Sequence, residues 1–156
     1  MKFADRMGDI ELSGIRRILD LAEKIKDPIN FSIGRPDFDV PQPLKDDAEH
    51  WIQEGYNKYT VSRGDPMLIE KLHDFLKKRK MIFEDVIATV GVCGGLTLVF
   101  TALVNPGDEV LFTDPYFLNY YYMTKLMGGI PKYINTYPDF KLREGEIEKK
   151  ITQKTN

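Results

Sequence analysis

Residues 86–114 read VIATVGVCGGLTLVFTALVNPGDEVLFTD, and this stretch decides the fold. Val86 to Val90 is rich in β-branched residues and stops at Gly91, which predicts a short strand. Residues 93–104 are almost wholly apolar, which predicts a helix packed in the interior. Asn105-Pro106-Gly107-Asp108 is a turn with proline at its second position, and Glu109 to Thr113 is the next strand. A strand, a helix and a second strand in this order predict an α/β chain built on a parallel sheet.

The same alternation continues towards the C-terminus. Tyr116 to Met127 reads as a helix closed by Gly128-Gly129, Ile130 to Asn135 as a third strand, and about Glu144 to Ile151 as a last helix. Pro131 has no N–H to give to a ladder, so the third strand belongs at a sheet edge. Towards the N-terminus, Asp65-Pro66 is an N-cap followed by proline at the first helical position. The helix it opens should bury Leu68, Ile69, Leu72, Phe75 and Leu76. Residues 43–54 predict a helix with Leu44, Ala48, Trp51 and Ile52 on one face, closed by Gly55. Residues 14–26 predict another, capped by Ser13 and stopped by Asp27-Pro28, with residues 29–41 as an extended loop.

Composition narrows the function. The chain has 156 residues, 42% hydrophobic and 29% charged, enough for one packed core. A net charge of -2 gives no electrostatic case for nucleic acid. The longest apolar run, Leu96 to Val104, is about half the roughly 20 residues of a membrane span. Asp5, Asp9 and Glu11 stand where a secretory signal would need apolar residues. Cys93 is the single cysteine, so no internal disulfide framework exists and a cytoplasmic location is expected.

The junction at Val90-Gly91 is the strongest local site. A strand turning through glycine into a helix presents unpaired N–H groups and the positive end of the helix dipole, where a phosphate or carboxylate is favoured. The plainer alternative is that Gly91 only makes the tight turn that any such junction needs. A dinucleotide site would require the spacing G-x-G-x-x-G, and Gly91, Gly94 and Gly95 are in the wrong register for it. Cys93 begins the helix, but the only histidines, His50 and His73, read as solvated helix residues rather than bases for a nucleophile. No spacing suggests a metal site, and the carboxylates scattered along the helices read as solvated faces. Among Tyr116, Phe117, Tyr120, Tyr121 and Tyr122, most would fill a core or an interface. Phe117 is the ring best placed beyond a strand's carboxyl end to lie on a planar ligand.

Six short motifs carry a resemblance. They are Ser13-Gly14-Ile15-Arg16, then Ser32-Ile33-Gly34-Arg35-Pro36-Asp37-Phe38, then Tyr59-Thr60 before Gly64. Thr89-Val90-Gly91, Asn105-Pro106-Gly107-Asp108-Glu109-Val110 and Asp114-Pro115-Tyr116-Phe117 complete the series. Each alone is weak, but in this order and spacing they resemble the N-terminal part of the class I/II aminotransferases of PLP fold type I, from about Ser13 to the last residue. The motif style leans towards the aspartate and aromatic enzymes.

The resemblance implies a cofactor, pyridoxal 5'-phosphate, and a reaction that moves an amino group between an amino acid and a 2-oxo acid. It also implies roles. Val92 and Cys93 match the backbone donors to the cofactor phosphate, and Phe117 the aromatic stacked on the pyridine ring. Tyr59 matches a tyrosine that reaches the partner's cofactor phosphate across a homodimer. Ile15, Ile33 and Gly34 match the segments lining the substrate pocket. Residues 1–42 would be an N-terminal helix and pocket-covering arm, and residues 43–156 part of the large, mostly parallel cofactor-binding domain.

Two departures qualify the resemblance. Val92 stands where the family usually has glycine, serine or alanine, and Gly94 where it has a glutamine or similar residue. The expected result is a weaker or reshaped phosphate turn, with Gly94 and Gly95 each costing on the order of 1 kcal/mol of helix stability relative to alanine. The family's cofactor-linking lysine, its pyridine-pairing aspartate and its carboxylate-clamping arginine would all lie beyond Asn156. No catalytic residue is therefore assigned, and the chain alone is expected not to transaminate. The strand at 86–90, whose family neighbours come later in sequence, should also be left with unpaired edges. The competing reading is a non-catalytic module that binds phosphate, the cofactor or a partner protein.

Overall fold

A computed structural model describes residues 2–10, 14–29, 31, 34 and 36–156. The chain forms two compact units, one of residues 1–29 with 90–156 and the other of residues 30–89.

The first unit holds the sheet. Helix α1 spans Gly14–Ala22, following a short 3-10 helix at Asp5–Asp9. The structure ends α1 four residues before the predicted limit, and the proposed cap Ser13 lies outside the described residues. Helix α4 (Gly91–Leu103), strand β1 (Glu109–Asp114), helix α5 (Leu118–Leu126), strand β2 (Ile130–Asn135) and helix α6 (Glu144–Glu148) complete this unit. β1 and β2 run parallel, from Glu109 opposite Ile130 to Asp114 opposite Asn135. A parallel pair needs a crossover, and α5 provides it. The 3-10 helix packs against α5, and α6 against β2.

Residues 154–156 add a further parallel segment on the other side of β1, through a bridge between Glu109 and Thr155. Glu109 N donates to Lys154 O at 2.7 Å, and Asn156 N donates to Glu109 O at 3.2 Å. β1 therefore lies between this segment and β2, which places β2 at the edge where Pro131 was expected. The even-numbered N–H groups of β2 face β1, as Ile130 N donates to Asp108 O and Thr136 N to Asp114 O. Alternation along a strand turns the position of Pro131 outward.

The core is small. Phe100, Phe112 and Ile134 are its buried apolar side chains among the described residues. Thr124 and Thr136 are buried with their hydroxyls satisfied, donating to Tyr120 O at 2.7 Å and Asp114 O at 2.8 Å. Gly129 leaves no room for a side chain there: a Cβ would lie 3.0 Å from Val104 Cγ1 and 3.1 Å from Thr124 Cγ2. Two sequence expectations fail at this level. α4 is apolar all round yet buries only Phe100, while Leu98, Val99 and Leu103 are exposed, because its packing within this unit covers one side. Residues 86–90 are not a strand: no described strand ladders with them, because β-propensity alone supplies no partner.

The second unit holds α2 (Gln42–Gln53) and α3 (Pro66–Lys78). Asp65 caps α3 as the sequence predicts, accepting from Met67 N at 2.9 Å and Leu68 N at 3.2 Å. The predicted burial is not reached. Ile69, Leu72 and Leu76 are half-buried, but Leu68 and Phe75 are exposed, and so is the apolar stripe of α2. Ala88 N donates to Arg63 O at 2.9 Å, and the Gly64 backbone (φ +110°) passes so near that a Cβ there would lie 2.7 Å from Ala88 Cβ.

Candidate functional site

The site is built where α4 and α5 begin. Gly91 turns the chain at φ +64° and a Cβ there would meet nothing within 4 Å, so glycine is used for its backbone angle and not for space. The N-cap residue Val90 makes no side-chain cap bond to α4. Its first helical hydrogen bond runs from Gly94 N to Val90 O at 3.2 Å, so the N–H groups of Val92 and Cys93 precede the ladder. Both residues are exposed, Val92 at 75%. Two donors ahead of the ladder, at the positive end of a 13-residue helix, suit a phosphate.

Phe117 occupies the N-cap position of α5, three residues past the carboxyl end of β1. It is 50% exposed, and the edge-on Tyr120 ring lies 5.6 Å away at 87°. The neighbouring aromatics serve the core. Tyr116 packs on Phe112 at 5.0 Å and on Tyr133 at 5.4 Å, and Phe112 meets Tyr133 at 5.3 Å. Burial, then the adjacent Tyr116, pushes the Tyr133 phenol above its ordinary pKa. Phe117 is the ring in this group left half in solvent beyond the strand end.

One contact joins the two halves of this arrangement. Asn119 donates from Nδ2 to Sγ of Cys93 at 3.0 Å, tying the first turn of α5 to the first turn of α4. Val92, Cys93 and Phe117 thus share one neighbourhood within the first unit. The sequence reading did not single out Asn119, since its only signal was a polar residue in an aromatic helix start. The donors and the half-exposed ring fit a group that carries a phosphate on a planar ring.

Two of the other predicted site residues, Tyr59 and Gly34, belong to the second unit. Tyr59 is fully exposed in the second unit, on an open groove of about 730 Å³ lined also by Glu54, Tyr56, Lys58, Asp65 and Leu68. Gly34, in the same unit, is exposed with open space around it. Ile15 lies in α1 of the first unit, and Ile33 lies outside the described residues.

Glu109, on β1, is 8% exposed and held by Thr152 and Lys132. One reading of charge needs correction: His73 is not simply solvated. Its ring lies 5.2 Å from Phe83 and its Nε2 is 3.5 Å from Asp85 Oδ1, and Arg63 pairs with the same carboxylate. The Val86 N–H, followed by Arg63 and His73, holds Asp85 below the usual carboxylate pKa. Among the described residues no group of three His, Cys, Asp or Glu could hold a metal, and no helix is long and apolar enough to cross a membrane.

Comparison with known proteins gives the family and the fold. A family model described as aminotransferase class I and II matches residues 26–156. The aspartate aminotransferase of Pyrococcus abyssi is 34% identical over 161 residues, which cover 99% of this chain and 41% of that protein. The aromatic-amino-acid aminotransferase 2 of Thermococcus litoralis is 32% identical over 161 residues, with coverage of 99% and 41%. The crystal structure of the aspartate aminotransferase from Rhizobium meliloti superposes with a TM-score of 0.90 at 28% identity, covering 99% of this chain and 41% of that one. The chain therefore spans about 41% of the length of the curated relatives it matches.

Proposed function

The chain belongs to the aminotransferase class I and II family, and we propose that it supplies the phosphate turn and ring-stacking aromatic of an enzyme that moves an amino group between an amino acid and a 2-oxo acid. The observation that carries this is the pairing of two uncapped N–H groups, at Val92 and Cys93, with the half-exposed Phe117 in one unit. The cofactor is pyridoxal 5'-phosphate, whose ring supplies the electron sink for a carbanion when bound. Val92 and Cys93 N–H donate to its phosphate, and the α4 dipole favours the dianion. Phe117 confines the ring plane from one face.

The remaining roles follow the same reading. Tyr59 donates from its hydroxyl to the phosphate held by a second subunit of a homodimer. Ile15, Ile33 and Gly34 line the pocket for the substrate's carboxylate end, residues 1–42 form the arm over it, and residues 43–156 belong to the cofactor-binding domain. The amino acid is of the aspartate or aromatic type, and the reaction takes place in the cytoplasm. No residue of the 156 is assigned the catalytic proton transfer.

Equilibrium dialysis with pyridoxal phosphate and with inorganic phosphate tests the reading. Phe117→Ala should weaken pyridoxal phosphate by about tenfold, the upper range for one aromatic contact, and leave inorganic phosphate unchanged. A folded wild-type chain that binds no pyridoxal phosphate would sink the assignment.

A further inference from the structure

Helices α4 and α5 meet along a stripe set by two sulfur contacts. Asn119 Nδ2 lies 3.0 Å from Cys93 Sγ, and Thr97 Oγ1 lies 3.6 Å from Met123 Sδ. Both contacts join residues 26 apart in sequence. Cys93 and Thr97 are one helical turn apart, as are Asn119 and Met123, so each pair lies on one face of its helix. The helices therefore run side by side in step, and the first rung sits at the mouth of the site.

The two rungs are not equivalent. Thr97 has one hydroxyl proton, and its shorter bond runs to Cys93 O at 2.9 Å, so the Met123 contact is chiefly packing. Asn119 has two amide protons and commits one to the thiol. It stands two residues after Phe117, while Cys93 itself offers a backbone donor of the phosphate turn. The Asn119–Cys93 bond thus fixes the separation between the two elements that would grip opposite parts of one ligand.

We propose that Asn119 is a positioning residue. Through Cys93 it sets the spacing between the Val92–Cys93 turn and the Phe117 ring, without touching the ligand. This rests on the cofactor reading above. A ligand that must reach both elements gains from their preset spacing, whereas a ligand held at one does not. Asn119 therefore selects for a phosphate borne on a ring over phosphate alone.

The test compares dissociation constants for pyridoxal phosphate and inorganic phosphate in the wild-type chain, Asn119→Leu, Cys93→Ala and the double variant. Asn119→Leu should weaken pyridoxal phosphate about three- to tenfold, the scale of one intramolecular hydrogen bond, with inorganic phosphate held within about twofold. The double variant should bind pyridoxal phosphate no more weakly than the weaker single one, because both remove the same bond. Equal loss of both ligands in Asn119→Leu would overturn the proposal by making the residue merely structural. Unchanged pyridoxal phosphate binding, or fully additive losses, would overturn it too. If the wild-type chain binds phosphate but no pyridoxal phosphate, the cofactor reading itself fails, and the positioning role fails with it.

Discussion

Lys132 Nζ lies 3.1 Å from Glu109 Oε1, although the register pairs Lys132 with Leu111. The ion pair is therefore diagonal across the two strands, a reach that long side chains make easily. The other carboxylate oxygen accepts from Thr152 Oγ1 at 2.7 Å. One buried carboxylate thus joins β1, β2 and the segment that follows α6.

The Thr152 hydroxyl, then the Lys132 ammonium, holds Glu109 below the usual carboxylate pKa. A depressed folded pKa means that the stabilisation is complete above the unfolded value, about 4.3 for glutamate, and is lost as pH falls through the folded one. Thermal unfolding followed by circular dichroism from about pH 7 to about pH 3 checks this. Glu109→Gln should melt lower at neutral pH and approach the wild type in acid. Parallel melting curves would show that the pair contributes nothing.

Gly64 and Asp65 act together at the start of α3. Gly64→Ala places a side chain at φ +110° and 2.7 Å from Ala88 Cβ, so it should destabilise by roughly 2 kcal/mol. Adding Ala88→Gly should recover the steric part but not the backbone strain. Asp65→Ala removes the cap to Met67 N and Leu68 N and should cost about 1 kcal/mol, whereas Asp65→Asn should cost little. Urea unfolding of the four variants ranks these effects directly.

Phe112 and Phe117 are five residues apart and divided in role. Phe112 is buried among Tyr116, Tyr120 and Tyr133, so Phe112→Ala should cost about 3–5 kcal/mol. Phe117→Ala leaves a surface gap and should cost under about 1 kcal/mol while weakening ligand binding. A similar loss of stability in both would show that Phe117 is a core residue.

These outcomes trace what a sequence can and cannot disclose. Local chemistry was legible. Asp65-Pro66 announced the start of α3, Gly128 (φ +77°) its role in ending α5, and Asn105 to Asp108 a turn that Asp108 Oδ2 closes by accepting from Asn105 N at 2.8 Å. The parallel α/β character followed from the same alternation. Residues 86–90 misled because β-propensity describes a willingness to pair and does not provide the partner. α4 misled for a related reason: an apolar composition says that a helix gains from burial, not which side is covered. The Cys93–Asn119 and Glu109–Thr152 contacts join residues 26 and 43 apart, a separation that no periodicity in a single sequence encodes.

The start of α4 was legible in part. Val90-Gly91 marked a helix start, and the structure begins α4 at Gly91 with no cap from the Val90 side chain. The pairing of that turn with Phe117 depends on how α4 and α5 lie together, which only the folded chain displays.

Pro131 has a consequence for how this molecule meets others. β1 has neighbours on both sides, so among the named strands it is β2 whose outer side is open to a foreign strand. Of the three outward positions there, 131, 133 and 135, the first is proline and offers no hydrogen. An incoming chain would find a template with a missing tooth near its start. A single pyrrolidine ring thereby removes one donor from the outer ladder of β2.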